Sequence, residues 1–297
     1  MKIVSLTPSA TEIITSLDLL ENLEGCSHEC NFPEEVKEKL KVTSTKIQPN
    51  LSMSEIDRVV KESKENNSDI YEIDHNMLVN IQPDYLVTQG LCDVCAITES
   101  QVAKALKYLV NESGKVTKVL SLSGSSIAQI IEDIKRLGDE FDRVEEAREI
   151  IRKANKSIQD MMALSKIGKS ILFLEWVDPF FGPGHWVPEQ IGLAGFDSPL
   201  GLTGQNSREI SPSLMRTINP DYIVVACCGF GLEDNRRIAA RIYENVHIKG
   251  LKAISEQNVY AFDADAYFSR PTLRILEGAN QLRWALLTRS SIHRCIL

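Results

Sequence analysis

The chain has 297 residues, of which 43% are hydrophobic and 25% are charged, a composition typical of a globular protein long enough for two domains. Its 33 basic and 41 acidic side chains give a net charge of -8. That balance argues against a nucleic-acid partner, because nucleic-acid-binding proteins present a basic face to phosphate. No apolar run reaches the roughly 20 residues that a membrane-spanning helix needs.

The N-terminus enters a strand pattern at once, without the charged region, apolar region and cleavage site of a secretory signal. The seven cysteines are an odd number in a chain large enough to fold without disulfide bonds, which fits reduced thiols. We therefore expect a cytoplasmic protein as the sequence stands, or an extracytoplasmic one if a leader has been removed.

The first elements are a strand at residues 2–6 and a helix that starts within residues 7–12, with Thr or Ser as its cap. Residues 46–80 read as an additional helical excursion. Residues 81–88 (IQPDYLVT) then recur as residues 218–225 (INPDYIVV). In each copy proline ends a helix and an apolar run predicts a buried strand.

The duplication predicts two similar α/β lobes. Open α/β sheets bind ligands beyond the carboxyl ends of their strands, so we expect one ligand cleft between the lobes. Between the two copies, a helical pattern from about residue 142 to 165 would form a rod of roughly 35 Å, at about 1.5 Å per residue. The predicted domains are an N-terminal lobe (1–124), connecting helices that include this rigid backbone helix (125–165), and a C-terminal lobe (166–297).

The second lobe opens with a strand at residues 170–174, a long loop at 175–186 and a helix from about Pro188. Several loops at predicted strand ends are rich in aromatic residues, which suit a broad and partly apolar ligand. We expect Trp176, Trp186 and Tyr267 to contact it, because glycine, proline and charged neighbours deny their loops a continuous buried face. Phe32 and Phe181 lie in the same kind of loop.

The cysteines allow a second hypothesis. Cys92 and Cys95 have the spacing of a metal or redox half-site, and Cys26, His28 and Cys30 offer soft ligands from another loop. With Cys227 and Cys228 they would form a site for zinc or iron, whereas the alternative is that all are structural free thiols. His28 and His185 also read as ordinary loop histidines, and His185 is the better candidate for a ligand contact.

Motifs of catalysis are absent from the sequence: there is no GxSxG elbow, P-loop, HExxH or GxGxxG after the first strand. A carboxylate pair could be drawn from Glu29, Glu175, Asp178, Asp263 and Asp265, but surface acids are abundant in so acidic a chain. We therefore expect a protein that is not an enzyme.

Several motifs together resemble the class III substrate-binding proteins of ABC importers, the helical-backbone group that carries cobalamin, haem and iron-siderophore complexes. They are residues 3–12 (IVSLTPSATE), 25–33, 174–195 and 267–270 (YFSR), and the resemblance covers nearly the whole chain. It is closest to the cobalamin-binding members. The resemblance implies two Rossmann-like lobes, a rigid bridging helix and a corrinoid held between the lobes.

By position, the resemblance places Glu29 and Phe32 where such members have cleft tyrosines, and Tyr267 where they have a tryptophan. It also implies an ABC permease that docks on a glutamate of each lobe, where this sequence has Asn76 and Ser213. Asp74 and Glu209 lie close enough to replace them if the register differs slightly. These departures suggest a relative that keeps the cleft but has lost the importer.

The leading hypothesis is thus binding of cobalamin or a related corrinoid, without catalysis. The ligand would stack on Trp176, Trp186 and Tyr267, while polar residues would reach its amide or phosphate edges: His28, Glu29, His185 and Arg270. Two alternatives remain open, namely a metal or cluster protein that uses the cysteines, and an enzyme that acts on a corrinoid or tetrapyrrole in the same pocket.

Overall fold

The computed structural model describes residues 1–66, 68–90 and 97–296. The chain forms two compact units, the first from residues 1–124 and 129–151 and the second from residues 125–128 and 152–297. The helical segment 125–165 is therefore divided between the units rather than separate from both. Across the described residues, no helix combines the length and the apolarity that a membrane crossing requires.

The first unit is an α/β structure, as predicted. Its strands are β1 (Ile3–Ser5), β2 (Leu23–Cys26), β3 (Leu40–Lys41), β4 (Thr43–Thr45), β5 (Tyr71–Ile73), β6 (Tyr85–Gln89) and β7 (Lys118–Leu122). Its helices are α1 (Pro8–Ser16), α2 (Met53–Glu65), α3 (His75–Ile81), α4 (Glu99–Ser113) and most of α5 (Ile127–Glu140), with short 3-10 helices at Leu20–Asn22 and Glu34–Glu38.

A parallel sheet forms the centre of this unit, with the strand order β3-β2-β1-β6-β7 among the described residues. β1 is buried along its whole length, as its apolar sequence predicts. The chain then turns into α1, where the Thr7 side chain accepts a hydrogen bond from the Ala10 backbone and caps the helix. The carboxyl end of β2 leads directly into the loop that carries His28, Glu29 and Phe32.

The excursion after residue 42 contains more strand than the sequence predicts. β4 and β5 pair antiparallel outside the main sheet, with Thr43 opposite Ile73. Between them, α2 begins at a capping box in which Ser52 and Glu55 bond each other's backbone N–H groups. The expected helix is present, and its two flanking strands bring Thr43 and Tyr71 side by side with the loop after β2.

The second unit repeats the α/β arrangement. Its strands are β8 (Ile171–Leu174), β9 (Trp176–Val177), β10 (Phe180–Phe181), β11 (Tyr222–Val225), β12 (Val259–Ala261) and β13 (Arg294–Cys295). The helix α6 (Val144–Met162) contains the boundary between the units, and the helices that follow it are α7 (Val187–Leu193), α8 (Pro212–Ile218), α9 (Leu232–Ile242), α10 (Lys252–Ser255), α11 (Ala264–Tyr267) and α12 (Arg274–Thr288).

Its main sheet has the order β13-β12-β11-β8 among the described residues, parallel except for β13. β8, β11 and β12 are almost entirely buried. α7 packs beside α12, and the buried Gln190 amide donates to the carbonyls of Tyr267 and Ile275 (2.9 and 2.8 Å). These bonds hold α7 against the turn that contains Tyr267.

The duplicated motif has the same physical role in both units. α3 and α8 each end at a residue with left-handed backbone, Gln82 (φ 50°) and Asn219 (φ 44°), immediately before proline. The residue after the proline is an aspartate, whose carboxylate accepts a hydrogen bond from a backbone N–H just before the neighbouring strand. In the first unit Lys2 N donates to Asp84 (2.8 Å), and in the second Ser170 N donates to Asp221 (2.9 Å). Lysines pair with both carboxylates. The repeat therefore fastens two strands together in each unit.

Candidate functional site

A concavity in the first unit lies at the carboxyl ends of β1 and β2. Apolar walls come from Leu6 and Ile97, and polar groups come from the loop after β2, which carries His28 and Glu29. Tyr71 completes the lining beside them. The structure therefore brings two of the predicted binding residues to one surface, at the sheet edge where α/β sheets place their ligands.

The His28 ring is fixed by the hydroxyl of Thr43. Thr43 Oγ1 donates to Ser27 Oγ (3.2 Å) and accepts from the His28 backbone N–H (3.1 Å). Its distance to His28 Nδ1 is 2.7 Å. The short contact fixes the ring through Nδ1 and leaves Nε2 outside this hydrogen-bond network.

His28 Nε2 is buried and has no hydrogen-bond partner among the described residues. Burial, together with the charge of Lys41, lowers the pKa of His28, so the ring is neutral at pH 7. The Tyr71 ring lies alongside it, with 5.8 Å between the centroids. A neutral imidazole with an unused lone pair can accept a hydrogen bond or ligate a metal.

Cys26 and Cys30 lie beneath the same loop and contact Lys41. The Lys41 ammonium donates to Cys26 Sγ (3.2 Å) and to the backbone oxygens of Cys30 (3.1 Å) and Val36 (2.9 Å). The hydrogen bond from Cys30, opposed by burial and reinforced by Lys41, lowers the pKa of the Cys26 thiol. The same hydrogen bond and burial raise the pKa of Cys30.

The other predicted residues of this loop are solvent-exposed. Glu29 borders the concavity, and Phe32 is 44% exposed without belonging to its lining. A single exposed phenylalanine is common on protein surfaces, so the exposure of Phe32 alone does not mark a ligand contact.

In the second unit, Trp176 and Phe181 face each other across the small β9–β10 hairpin. Both are half-buried. The Trp176 ring lies 5.8 Å from the Phe230 ring, and its Nε1 donates to the Asp178 carbonyl (3.0 Å). The hairpin thus presents aromatic surface directly after β8, as the loop sequence predicts.

Trp186 differs from the expectation. It is only 3% exposed, and its Nε1 donates to the Phe268 carbonyl (3.0 Å). The prediction that its loop lacks a buried face is wrong, because the turn after α11 covers the indole. The ring of His185 stacks on it at 5.6 Å, and burial lowers the pKa of His185. His185 Nδ1 is buried without a hydrogen-bond partner in the described part of the chain.

Tyr267 and Arg270 lie at the same turn. The Arg274 guanidinium sits over the half-buried Tyr267 ring, 5.1 Å from its centroid. Arg270 is 6% exposed and forms an ion pair with Asp265 (2.6 Å). The guanidinium that was expected to reach a ligand is therefore engaged in the structure of the turn itself.

The cysteines do not assemble into a metal centre among the described residues, where no group of three or more His, Cys, Asp or Glu side chains is placed to hold an ion. Cys92 and Cys95 lie outside the described residues. Burial raises the pKa of Cys227, whose backbone N–H donates to Asn235 Oδ1 (2.8 Å), whereas Cys228 is exposed. The zinc or iron hypothesis gains no support from the described thiols.

The positions expected at the docking surface are exposed. Asn76 accepts a hydrogen bond from the Tyr108 hydroxyl (3.0 Å), and the Ser213 hydroxyl lies 2.7 Å from that of Ser211. Asp74 caps α3 by accepting from Met77 N (2.9 Å), while Glu209 lies beside Phe181 rather than at the start of α8. Of the two nearby acids, only Asp74 occupies a helix start.

Thr43, Tyr71 and Lys41 lie at or beside the concavity but carry no signal in the sequence that predicts a site there. Thr43 and Tyr71 reach the concavity only because β4 and β5 pair outside the main sheet. Lys41 follows Leu40 in the short β3, which a periodicity argument cannot separate from a loop. Gly25 in β2 gives a local hint of close packing here, because a Cβ atom at this position would lie 2.7 Å from the Val42 side chain, at the start of the segment that leads to Thr43.

Comparisons with known proteins identify the group to which this architecture is similar. The family profile described as Periplasmic binding protein matches residues 3–266. The periplasmic vitamin B12 binding protein BtuF of Vibrio cholerae is 17% identical, with a TM-score of 0.67 over 97% of this chain and 96% of that chain. The periplasmic heme binding protein HutB of Vibrio cholerae is 18% identical, with a TM-score of 0.71 over 96% of this chain and 98% of that chain.

An ABC transporter substrate-binding protein from Listeria monocytogenes EGD-e is 20% identical, with a TM-score of 0.68 over 97% of this chain and 99% of that chain. No curated protein matches the chain. At these identities the solved structures establish the shared fold.

Proposed function

Because the chain belongs to the periplasmic binding protein family, whose members bind substrates and are not catalysts, we propose that it is a substrate-binding protein for a metal chelate, with cobalamin or a related corrinoid as its leading ligand. The resemblance read from the sequence motifs and the family match agree on this group. The vitamin B12 and heme binding proteins of the same fold support a flat metal chelate as the ligand class.

The observation that carries the proposal is the concavity of the first unit, in which a fixed, neutral His28 offers Nε2 beside the rings and aliphatic groups of Tyr71, Leu6 and Ile97. A corrinoid has an apolar macrocycle edged with amide groups. Its amide N–H groups would donate to His28 Nε2, while its apolar faces would pack on the aromatic and aliphatic walls.

We propose that the second unit supplies stacking surface through Trp176, Phe181 and Tyr267. Burying apolar macrocycle surface contributes about 25 cal/mol per Å², which leaves several kcal/mol after the costs of association. The exposed Glu29 and Phe32 would contact the rim of the ligand. His185 Nδ1, which has no hydrogen-bond partner among the described residues, is a further group that could bond to the ligand.

A second candidate ligand is haem, and one observation favours it. His28 Nε2 is a neutral imidazole nitrogen without a hydrogen-bond partner among the described residues, which is the form in which histidine ligates iron. In this case His28 would hold the iron of the substrate directly. The same group has only a hydrogen-bonding role in the corrinoid proposal.

An ABC permease is the proposed partner, as in the importer family that the motifs resemble. Asn76 and Ser213, at the expected docking positions, would weaken such an interaction because neither carries a charge. Asp74 remains as a candidate acid in the first unit.

Optical titration tests the proposal. Cyanocobalamin added to the purified protein should give a stoichiometric complex that survives gel filtration, and His28→Ala should weaken it by about tenfold, the effect of losing one hydrogen bond to a buried group. If haem is the ligand instead, haemin will give a shifted Soret band that His28→Ala abolishes. Thr45→Ala, an exposed change on the neighbouring strand, is the matched control. A protein that binds neither compound would overturn the proposal.

A further inference from the structure

Large apolar side chains are exposed at the end of α12 in the second unit. Trp284 and Leu287 are three residues apart on one face of this helix, and they are 52% and 51% exposed. Ile292, in the turn that follows the helix, is 57% exposed. Single exposed apolar residues are common on proteins, but three large ones so close together in the chain form a local apolar surface.

The turn after α12 folds these residues onto one surface. The His293 backbone N–H donates to the Ser290 carbonyl (3.2 Å), which closes the turn. The buried His293 ring then lies 6.2 Å from the Trp284 ring, measured between centroids. Ile292 directly precedes His293 in the chain, so the exposed indole and the exposed isoleucine lie on neighbouring parts of the same surface.

Three arginines border this apolar surface, and within the ranges that the structure describes none of them pairs with a carboxylate. Arg236, on α9, donates to the Ile292 carbonyl. Arg294 donates to the Gln257 carbonyl (2.9 Å), and Arg289 donates to an asparagine side-chain oxygen (3.4 Å). Carbonyl oxygens hold the guanidinium groups in place but carry no net charge, so no salt bridge neutralises these three cations.

The charge of this region is opposite to that of the whole chain. Residues 278–297 contain three arginines and no aspartate or glutamate, whereas the chain has a net charge of -8. Arg237, also on α9, shows the contrast, because it forms ion pairs with Glu233 (3.6 Å) and Asp234 (3.3 Å). The surface at the end of α12 therefore combines exposed apolar side chains with positive charge that the protein does not use in ion pairs of its own.

We propose that this surface binds the anionic phospholipids of a membrane. It is called the C-terminal patch and consists of Trp284, Leu287, Ile292, Arg236, Arg289 and Arg294. The guanidinium groups bind headgroup phosphates, while the indole and the aliphatic side chains enter the layer between headgroups and acyl chains, where tryptophan is favoured. A second copy of the chain fits less well, because a two-fold contact through the same patch would bring arginines together.

The charges set the strength of this binding. An arginine close to an anionic membrane surface strengthens binding by about fivefold, so three arginines together give about a hundredfold preference over a neutral surface. Salt weakens the attraction, because the Debye length falls from about 10 Å at 0.1 M to about 3 Å at 1 M. The interaction needs no bound substrate, so it does not depend on which ligand the first unit binds.

Vesicle sedimentation tests the C-terminal patch. The purified full chain is mixed with vesicles of phosphatidylcholine alone, or of phosphatidylcholine and phosphatidylglycerol in equal parts, and the fraction of protein that sediments is measured. We expect binding to the anionic vesicles, about hundredfold weaker binding to the neutral ones, and loss of binding as the salt concentration rises to about 1 M. Lipids with brominated acyl chains should also quench tryptophan emission on binding, because the Trp284 indole enters the lipid layer.

Variants separate the charge from the apolar contact. Arg289→Gln should weaken binding to anionic vesicles by about fivefold, and Arg289→Lys should restore it, because lysine keeps the charge. Lys104→Gln removes an exposed charge in the first unit and should leave binding unchanged. Leu287→Ala should weaken binding by about tenfold, because it removes apolar surface from the contact. Leu202→Ala, an exposed change in the same unit, is its matched control and should have no effect.

Trp284→Phe tests the position of the indole. It should keep most of the binding but abolish the quenching by brominated lipid, since the other two tryptophans of the chain lie outside the C-terminal patch. Quenching that persists in Trp284→Phe would overturn the proposal. Circular dichroism of every variant confirms that folded proteins are compared, and the exposure of Trp284 and Leu287 leads us to expect that they fold.

Three further results would overturn the proposal. The first is wild-type protein that stays in solution with anionic vesicles, and the second is an equal loss of binding in the patch variants and in their controls. The third is that the patch joins two copies of the chain: sedimentation velocity without lipid would then show a dimer that Leu287→Ala dissociates, and anionic vesicles would not bind it.

Discussion

Replacing Asp221 by asparagine should remove a charge that fastens β8 to β11. Asp221 accepts hydrogen bonds from Ser170 N (2.9 Å) and Lys252 Nζ (2.5 Å) and pairs with Lys169 Nζ at 3.2 Å, and its side chain is 17% exposed. Asparagine keeps the shape and one acceptor oxygen. The substitution therefore tests the charge rather than the packing.

The magnitude follows from the pKa of this carboxyl. Burial alone would raise it, but the hydrogen bonds from Lys252, Ser170 and Lys169 lower the pKa of Asp221 from 3.8 to about 2. At about 1.4 kcal/mol for each tenfold change in proton affinity, the carboxylate contributes about 2.5 kcal/mol to folding near neutral pH. Because the folded pKa is the lower one, this stability is present above pH 4 and is lost as the pH falls towards 2.

Urea unfolding between pH 7 and pH 2.5 measures the effect. We expect Asp221→Asn to lower the free energy of unfolding by about 2 kcal/mol at pH 7, and the difference from wild type should shrink as the pH falls. Asp84→Asn is the matched control: it has the same role in the first unit, but its side chain is 38% exposed, so solvent screens the charge. Equal losses in the two variants, or a loss for Asp221→Asn that does not depend on pH, would refute the reasoning.

Three further predictions follow from the packing of single residues. Trp186→Ala should lower the free energy of unfolding by about 3–5 kcal/mol in denaturant titrations, because its indole is buried. Trp176→Ala should instead weaken cyanocobalamin binding, with a much smaller loss of stability, because its ring is half-buried. A large loss of stability for Trp176→Ala and a small one for Trp186→Ala would contradict this reasoning. Thr43→Val frees the His28 ring and should raise the cyanocobalamin Kd by about tenfold in the optical titration, and an unchanged Kd would show that the ring needs no anchor. Gly25→Ala places a Cβ atom 2.7 Å from Val42 and should lower the free energy of unfolding by about 1–3 kcal/mol, measured by thermal unfolding. Gly250→Ala is the control: no atom lies within 4 Å of the added carbon, so its stability should stay close to that of the wild type. Equal melting temperatures for the two variants would contradict the packing argument.

Much of the fold could be predicted because its signals are local. The proline and aspartate after α3 and α8 mark the helix ends, and the apolar runs that follow have the composition of buried strands. The helical periodicity of residues 142–165 predicts α6. The α/β class and the family resemblance are both confirmed.

The site could be predicted less well, because its contacts join distant parts of the chain. Trp186 is buried by Phe268, 82 residues away, and no local composition signals that contact. Thr43 is one polar residue in a polar stretch until the pairing of β4 with β5 brings it to His28. Arg270 had a closer signal, since Asp265 lies only five residues earlier and forms its ion pair.

The central claim is that the concavity at the loop after β2 binds a metal chelate. Hydrogen-exchange mass spectrometry with and without cyanocobalamin tests it most directly. We expect slower exchange on binding in the peptide that contains His28, and unchanged exchange in the exposed helix α2. Unchanged exchange at His28 while the ligand is bound would contradict it.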